Sequence, residues 1–206
     1  EIVFGDWSSD VCSSELSPIF LIIAILVRIK LGSPIIFKQE RPGLNEKIFT
    51  LYKFRTMLDK KDDSGQLLND KIRLTSFGKF LRSTSLDELP ELINIVKGDM
   101  SIIGPRPLLI EYLAYYTERE KVRHNVRPGL SGLAQISGRN YLNWEDRLEK
   151  DVQYVNNITF FGDIYIILAT IQKFIMRKDI AENTNLIEGN LAKMRAGVMN
   201  TDGRSF

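Results

Sequence analysis

The stretch Ser85-Leu86-Asp87-Glu88-Leu89-Pro90, with its sequel Lys97-Gly98-Asp99-Met100 and Gly104-Pro105-Arg106-Pro107, restricts the fold more than any other part of this 206-residue chain. Ser85 with Glu88 three residues on is a capping-box pattern, in which each side chain satisfies a free N–H of a helix's first turn. Leu86, Leu89, Leu92, Ile93 and Val96 recur at helical spacing, so the sequence predicts a helix with one apolar face. Pro90 falls early in that helix, where proline is best tolerated. Acids are favoured at helix starts by the macrodipole, and the plain reading of Asp87 and Glu88 is that they serve only there. The neighbourhood favours more. Gly98, Gly104, Pro105 and Pro107 make a stiff turn after the helix, with Arg106 set between two prolines. A rigid turn presenting an arginine near two carboxylates suits a phosphate and a metal.

Composition narrows the chemistry. A net charge of +2 argues against a general nucleic-acid binder. The charge is uneven: Arg28 to Lys61 holds nine Lys/Arg against three Asp/Glu. Such an excess beside an apolar segment is what the cytoplasmic side of a membrane attracts. The single cysteine, Cys12, excludes a disulfide within this chain and fits a reducing compartment. With His124 the only histidine, any metal would take oxygen ligands, which makes magnesium or a similar hard ion the expectation.

Residues 1–16 carry no helical or strand period. The block Gly5 to Leu16 resembles the peptide encoded by a sequencing-adapter oligonucleotide, and the expectation is a non-native segment in place of the native N-terminus; a disordered tail is the alternative. Ser17-Pro18 then opens an apolar run from Ile19 to Val27, closed by Arg28 and Lys30. A spanning helix needs about 20 apolar residues, so this run is too short to cross a bilayer. Proline kinks a helix, and a neighbouring serine can serve the freed carbonyl. Residues 17–31 therefore read as the remnant of a re-entrant membrane helix broken at Ser17 and Pro18.

Ile35 to Lys38 and Ile48 to Phe54 read as short strands or extended arms around a turn at Arg41-Pro42-Gly43-Leu44-Asn45. Lys53-Phe54-Arg55 sets two cations around an aromatic, either as a snorkelling basic rim or as a phosphate contact. Asp59 to Asp70 reads as an exposed loop. Leu74 to Ser83 is a predicted helix with Phe77, Phe80 and Leu81 inward and Lys79 and Arg82 outward. Leu108 to Arg123 is predicted as one helix, its Tyr112, Tyr115 and Tyr116 in core or rim packing, with an interfacial aromatic belt as the alternative. Arg127 to Asn140 carries three glycines with Arg127 and Arg139 towards its ends, and is either an anion-cradling loop or a Gly-rich turn. It matches neither a P-loop nor a dinucleotide fingerprint. Trp144 to Val155 is a predicted helix. Ile164, Ile167, Leu168, Ile171, Phe174 and Ile175, widened by Tyr165 and Ile166, mark an apolar face favouring a headgroup-plane helix. Beyond Asp179 the chain reads as a trailing segment, a lid or a tail. The fold class is α+β, mostly helical: one compact catalytic domain with a short β-hairpin and an N-terminal re-entrant membrane helix.

Together these motifs define a resemblance. Ser17-Pro18, Tyr52 to Met57, Leu86 to Pro90, Lys97 to Ser101, Gly104 to Pro107, Arg127 to Gly129 and Gly138 to Asn140 resemble the bacterial monotopic phosphoglycosyl transferases, or bacterial sugar transferases, from about Ser17 to about Lys178. Within the family the chain looks closest to the small undecaprenyl-phosphate diacetylbacillosamine-1-phosphate transferases. It departs from them in lacking the basic, apolar first limb. The resemblance implies a cytoplasmic domain over 32–206 with interfacial helices, on the inner membrane of a bacterium. It implies transfer of a sugar 1-phosphate from a UDP-sugar, N-acetylated in the related enzymes, to undecaprenyl phosphate with release of UMP. Asp87 would be the nucleophile and Glu88 its partner carboxylate, with magnesium held in part by Asp87. Lys53, Arg82, Arg106, Gln135 and Arg139 are the corresponding substrate-binding candidates.

The residues agree with that chemistry: a carboxylate can split one hard displacement into two easier ones, and phosphoryl transfer needs alignment and cations. Three other classes fit less well. A binding scaffold would keep the basic loops without needing both carboxylates. An aspartyl phosphohydrolase lacks its D-x-D at a strand end. A retaining glycosidase sets its carboxyls facing one another about 5 Å apart, whereas helix neighbours diverge by about 100°. The sequence leaves the sugar and the oligomeric state, a homo-oligomer included, open.

Overall fold

The computed structural model describes residues 7–138, 142–176 and 191–202, with side chains over 18–138, 142–176 and 191–196. Contacts group the chain into two compact units, Glu1–Lys38 with Tyr52–Val96, and Gln39–Leu51 with Lys97–Phe206. Neither is a contiguous stretch, so the boundary is not a linker between separate domains. The architecture is mostly helical with two two-stranded sheets.

The first unit begins with α1, Trp7–Leu31. Ser17-Pro18, expected as a helix break, lies inside it, with helix on both sides of Pro18. From Trp7 to Leu16 the chain is helical although these residues carry no helical period, because backbone hydrogen bonds need no apolar stripe. Ile23, Val27 and Leu31 recur every four residues and enter a core with Phe54 and Leu81. The other faces are apolar too: Leu21, Ile22 and Ile29 are 58–70% exposed. Among the described residues no helix is long and apolar enough to cross a membrane.

Strands β1, Ile36–Pro42, and β2, Ile48–Phe54, form the expected hairpin, with β2 at its predicted bounds. After the polar loop come α2, Asp70–Arg73, and α3, Ser76–Ser83. Thr75 caps α3 by accepting the Gly78 N–H. Leu81 is buried in the core, but Phe80, expected inward, is 52% exposed. Gly78 takes the place beside the strand end, where a Cβ would overlap the Thr56 carbonyl oxygen. Then follow a 3-10 turn over Leu86–Glu88 and α4, Glu91–Val96.

In the second unit β3, Ser101–Ile103, pairs in parallel with β4, Gly129–Ser131. The glycines of the Gly-rich stretch are used here. A Cβ on Gly129 would overlap the Gly104 nitrogen, and one on Gly132 the Gly104 oxygen. Their close approach is therefore to the chain itself, which favours the turn reading over the anion cradle at these two positions.

The single helix expected over Leu108–Arg123 is broken into a 3-10 segment Ile110–Tyr115, α5 over Glu118–Lys121 and a 3-10 turn Val122–Asn125. Thr117 and Glu120 form a complete capping box, which restarts the chain where the sequence pattern ran on. Tyr112 and Tyr116 are core residues as expected. Next come α6, Leu133–Ser137, α7, Trp144–Asn156, and α8, Phe160–Met176. Asn143 caps α7. α8 buries Ile166 beside Ile103 and Tyr154, while Tyr165, Leu168, Phe174 and Ile175 are 56–73% exposed. This outward face includes most of the one read from the sequence.

The region after Asp179 was expected to trail; residues 177–190 lie outside those described. From Leu191 a helix, α9, Leu191–Asp202, returns to the body. Leu191 is 0% exposed among Leu108, Tyr112, Tyr116, Trp144 and Leu148. Arg195 grips both oxygens of Glu120 at 2.7 Å and the Tyr115 carbonyl. A weak apolar pattern hid this docking, because one leucine and one arginine carry it. Leu191→Ala is expected to lower unfolding free energy by roughly 2–5 kcal/mol, the usual range for a buried leucine. Denaturant melts of wild type and variant measure this, and an unchanged midpoint would mean that α9 is not docked.

Candidate active site

The first unit holds the carboxylate pair. Ser85 stands before it with φ 51°, ψ 17°, a left-handed conformation uncommon outside glycine and asparagine. The expected capping box is absent, since the Ser85 side chain caps nothing. A side chain on a left-handed residue is not aimed at the next turn's N–H groups. The Ser85 carbonyl instead accepts the Glu88 N–H at 3.1 Å, closing a tight 3-10 turn. A strained non-glycine residue next to two acids is a mark of sites where geometry outranks stability.

Asp87 is 8% exposed. Glu88 turns to Lys53 rather than to its own backbone: Lys53 Nζ donates to Glu88 Oε1 at 2.9 Å and forms an ion pair with Glu91 Oε1 at 3.0 Å. The apolar face predicted for the helix is reversed. Glu91 and Asn94 are 2% and 0% exposed, while Ile93 and Val96 stand outward. Only Leu86 and Leu89 of the expected set pack on the core with Phe54 and Leu81. The reason is the strand beneath, whose Lys53 ammonium and Tyr52 N–H require polar partners.

Lys53 and Arg55 were expected as a snorkelling rim or as phosphate contacts. Both are engaged within the protein, which removes the rim reading. Arg55, 8% exposed, donates to the carbonyls of Ser33 and Met57 and pairs with Asp59 at 2.8 Å. Arg82 is exposed as expected, with its Nε donating to Thr56 Oγ1 at 3.1 Å. Asp87, Glu88, Lys53 and Arg82 thus belong to one unit.

Arg106 and Gln135 belong to the other unit. The Arg106 carbonyl accepts from Arg123 Nη2 at 2.6 Å. Arg123 also binds Asp151 through Nε and Nη2, at 3.1 and 2.8 Å, and the Tyr116 hydroxyl at 3.1 Å. This 2%-exposed guanidinium fixes the Gly104–Pro107 turn from below. Arg127 Nε is bound to the Gly98 carbonyl at 2.8 Å. Both amide atoms of Gln135 are buried without a hydrogen-bond partner among the described residues, which suits a side chain awaiting a ligand. Arg139 lies outside the described residues, as does the side chain of Ser17.

Glu91, Asn94, Arg123 and Asp151 were missed from the sequence. Glu91 and Asn94 share one helix side at i and i+3, a spacing that could have flagged them. Nothing local connects Arg123 with Asp151.

No three His, Cys, Asp or Glu among the described residues gather as a metal cage. Magnesium commonly uses one or two carboxylates and completes its shell with water and substrate phosphates, and Asp87 fits that pattern.

Comparisons with known proteins agree on the family. Residues 7–177 match the family model described as bacterial sugar transferase. The uncharacterized sugar transferase EpsL of Bacillus subtilis (strain 168) is 51% identical over 170 residues, 82% of this chain and 84% of that one. The UDP-glucose:undecaprenyl-phosphate glucose-1-phosphate transferase of Klebsiella pneumoniae is 39% identical over 79% of this chain and 37% of its own length. The undecaprenyl-phosphate galactose phosphotransferase of Salmonella typhimurium (strain LT2) is 38% identical over 72% and 34%. This chain belongs to the bacterial sugar transferase family.

His124, 5% exposed beside the Arg106 turn, gives a pH prediction. Burial, with the Arg123 charge adding to it, lowers its pKa from 6.5 to about 4. The folded protein keeps His124 neutral while the unfolded chain takes up a proton below pH 6.5. Stability therefore falls as pH drops from 6.5 towards 4, by about 3 kcal/mol from this residue. His124→Asn should flatten that part of the stability–pH curve; identical slopes for variant and wild type would refute the assignment.

Proposed function

We propose that this protein transfers a sugar 1-phosphate from a UDP-sugar to undecaprenyl phosphate, as an early membrane step of glycan assembly. The observation that carries the reading is a secluded Asp87 on a strained turn, beside a Glu88 held by Lys53, in a chain of this family. Two relatives named for such transfers support it, one with glucose and one with galactose. They match this chain about equally well while carrying different sugars, so overall similarity does not select the sugar.

The chemistry runs in two displacements. An Asp87 carboxylate oxygen attacks the β-phosphorus of the UDP-sugar. The bridging P–O bond breaks, its electrons leave with UMP, and a phosphosugar ester remains on Asp87. A phosphate oxygen of undecaprenyl phosphate then attacks the same phosphorus and breaks the Asp87–phosphorus bond, which restores the carboxylate. Glu88 orients the incoming lipid phosphate or takes its proton. Magnesium, held in part by Asp87, would supply positive charge at the diphosphate oxygens. Arg106 and Arg139 neutralise the remaining oxygens, Lys53 and Arg82 are further candidates, and Gln135 offers its amide to the substrate.

We place the reaction at the cytoplasmic face of the inner membrane. The apolar outer faces of α1 and of α8 each support attachment to a lipid surface. A re-entrant path for α1 is part of this proposal.

The test is a UMP-release screen with magnesium, using UDP-glucose, UDP-galactose, UDP-N-acetylglucosamine and UDP-diacetylbacillosamine. With undecaprenyl phosphate, one sugar should turn over. Without it, UMP should appear once per enzyme and mass spectrometry should find the phosphosugar on Asp87. Asp87→Asn should abolish both, a loss of at least about 10³-fold for a missing nucleophile. Turnover requiring both substrates together, with no adduct, would overturn the covalent mechanism.

A further inference from the structure

The inward side of α4 is built from an acid and an amide, Glu91 and Asn94, three residues apart. Burying such groups costs free energy unless each has a partner set for it. Both meet one on consecutive residues of β2, Asn94 through a hydrogen bond and Glu91 Oε1 through an ion pair without hydrogen-bond geometry. Asn94 Oδ1 accepts the Tyr52 backbone N–H at 3.1 Å, and Glu91 Oε1 meets Lys53 Nζ at 3.0 Å. One residue pins the strand backbone, and the other holds the ammonium that the next strand residue carries. That same ammonium donates to Glu88 Oε1 at 2.9 Å.

A lysine has a long flexible stem, and its rotamer freedom is lost only when something holds the end. The Lys53 side chain keeps 20% exposure, against 3% for Glu91. The acid is the anchored partner, and the lysine is the one that needs guiding. Apolar packing in this place would stabilise the unit at least as well as a buried charge pair does. The polar design is therefore accounted for by where it puts the ammonium.

We infer that Glu91 and Asn94 are positioning residues which hold Lys53 against Glu88 and so present that carboxylate in a single orientation. This rests on the proposed transfer reaction, in which Glu88 acts beside Asp87. Neither residue needs to touch substrate, because Glu91 acts through the Lys53 ammonium and Asn94 through the strand backbone that carries it.

A double-mutant cycle on steady-state transfer to undecaprenyl phosphate tests it, with kcat, KM and thermal midpoint measured for each protein. Glu91→Gln is expected to lower kcat about tenfold or more while KM for the UDP-sugar stays within about twofold. Lys53→Met, which also removes a candidate phosphate contact, should lower kcat at least as much. The double variant should be no slower than Lys53→Met alone, since a residue acting only through Lys53 has nothing left to do. Multiplying effects would overturn the inference, as would wild-type kcat in Glu91→Gln. Glu91→Asp, which keeps the charge and shortens its reach, guards against loss of folding: kcat should fall with the midpoint nearly unchanged, and an unaltered kcat would again overturn it. If wild type itself transfers no sugar phosphate from any UDP-sugar in the panel, the proposed reaction fails and takes this inference with it. If wild type turns over and the cycle is multiplicative, only the positioning role fails.

Discussion

The ammonium of Lys53 is the charge on which the polar interior of the first unit depends. Glu88 and Glu91 both lie within 3.0 Å of it, with side chains 16% and 3% exposed. Carboxylates this secluded are tolerated only when paired. That one requirement turns α4 over, so that Glu91 and Asn94 go inward and Ile93 and Val96 outward. It also frees Glu88 from the helix-capping role its spacing predicts, leaving the 3-10 turn to be closed by backbone alone.

Arg123 does the equivalent work in the second unit. It collects Asp151, the Tyr116 hydroxyl and the Arg106 carbonyl, and so fixes the Gly104–Pro107 turn from inside the protein. Buried ion pairs are weak sources of net stability. Their use in both units, at Lys53 and at Arg123, fits interiors arranged to place particular groups. The apolar residues displaced to the outside of α1 and α8 do not count against the fold if a lipid surface meets them, as the proposed location supplies.

Much of this was legible in the residues. The run Ile48 to Phe54 bounded β2 correctly, and the polar loop from Asp59 needed no tertiary knowledge. Trp144 to Val155 announced α7 within one residue, since Asn143 is a cap at the right place. The misreadings share a cause. Phe80, Ile93 and Val96 were assigned inward by apolar character alone, in a protein that keeps a large apolar exterior. At Gly129 and Gly132, where an anion cradle and a Gly-rich turn were both open, the space is taken by Gly104, as the turn requires. Periodicity ran straight through Thr117, where a capping box ends one segment and starts another.

The sequence by itself determined the family, the adjacent carboxylates Asp87 and Glu88, and the local elements whose signals lie within a few residues of one another. Tertiary structure alone decided which way α4 faces, that Lys53 serves two acids, that Arg123 reaches Asp151 across 28 positions, and that Leu191 closes a core begun at Leu108. Local pattern records propensity and spacing. The direction a side chain takes is set by the partner it meets, and those partners are brought together only when distant parts of the chain fold.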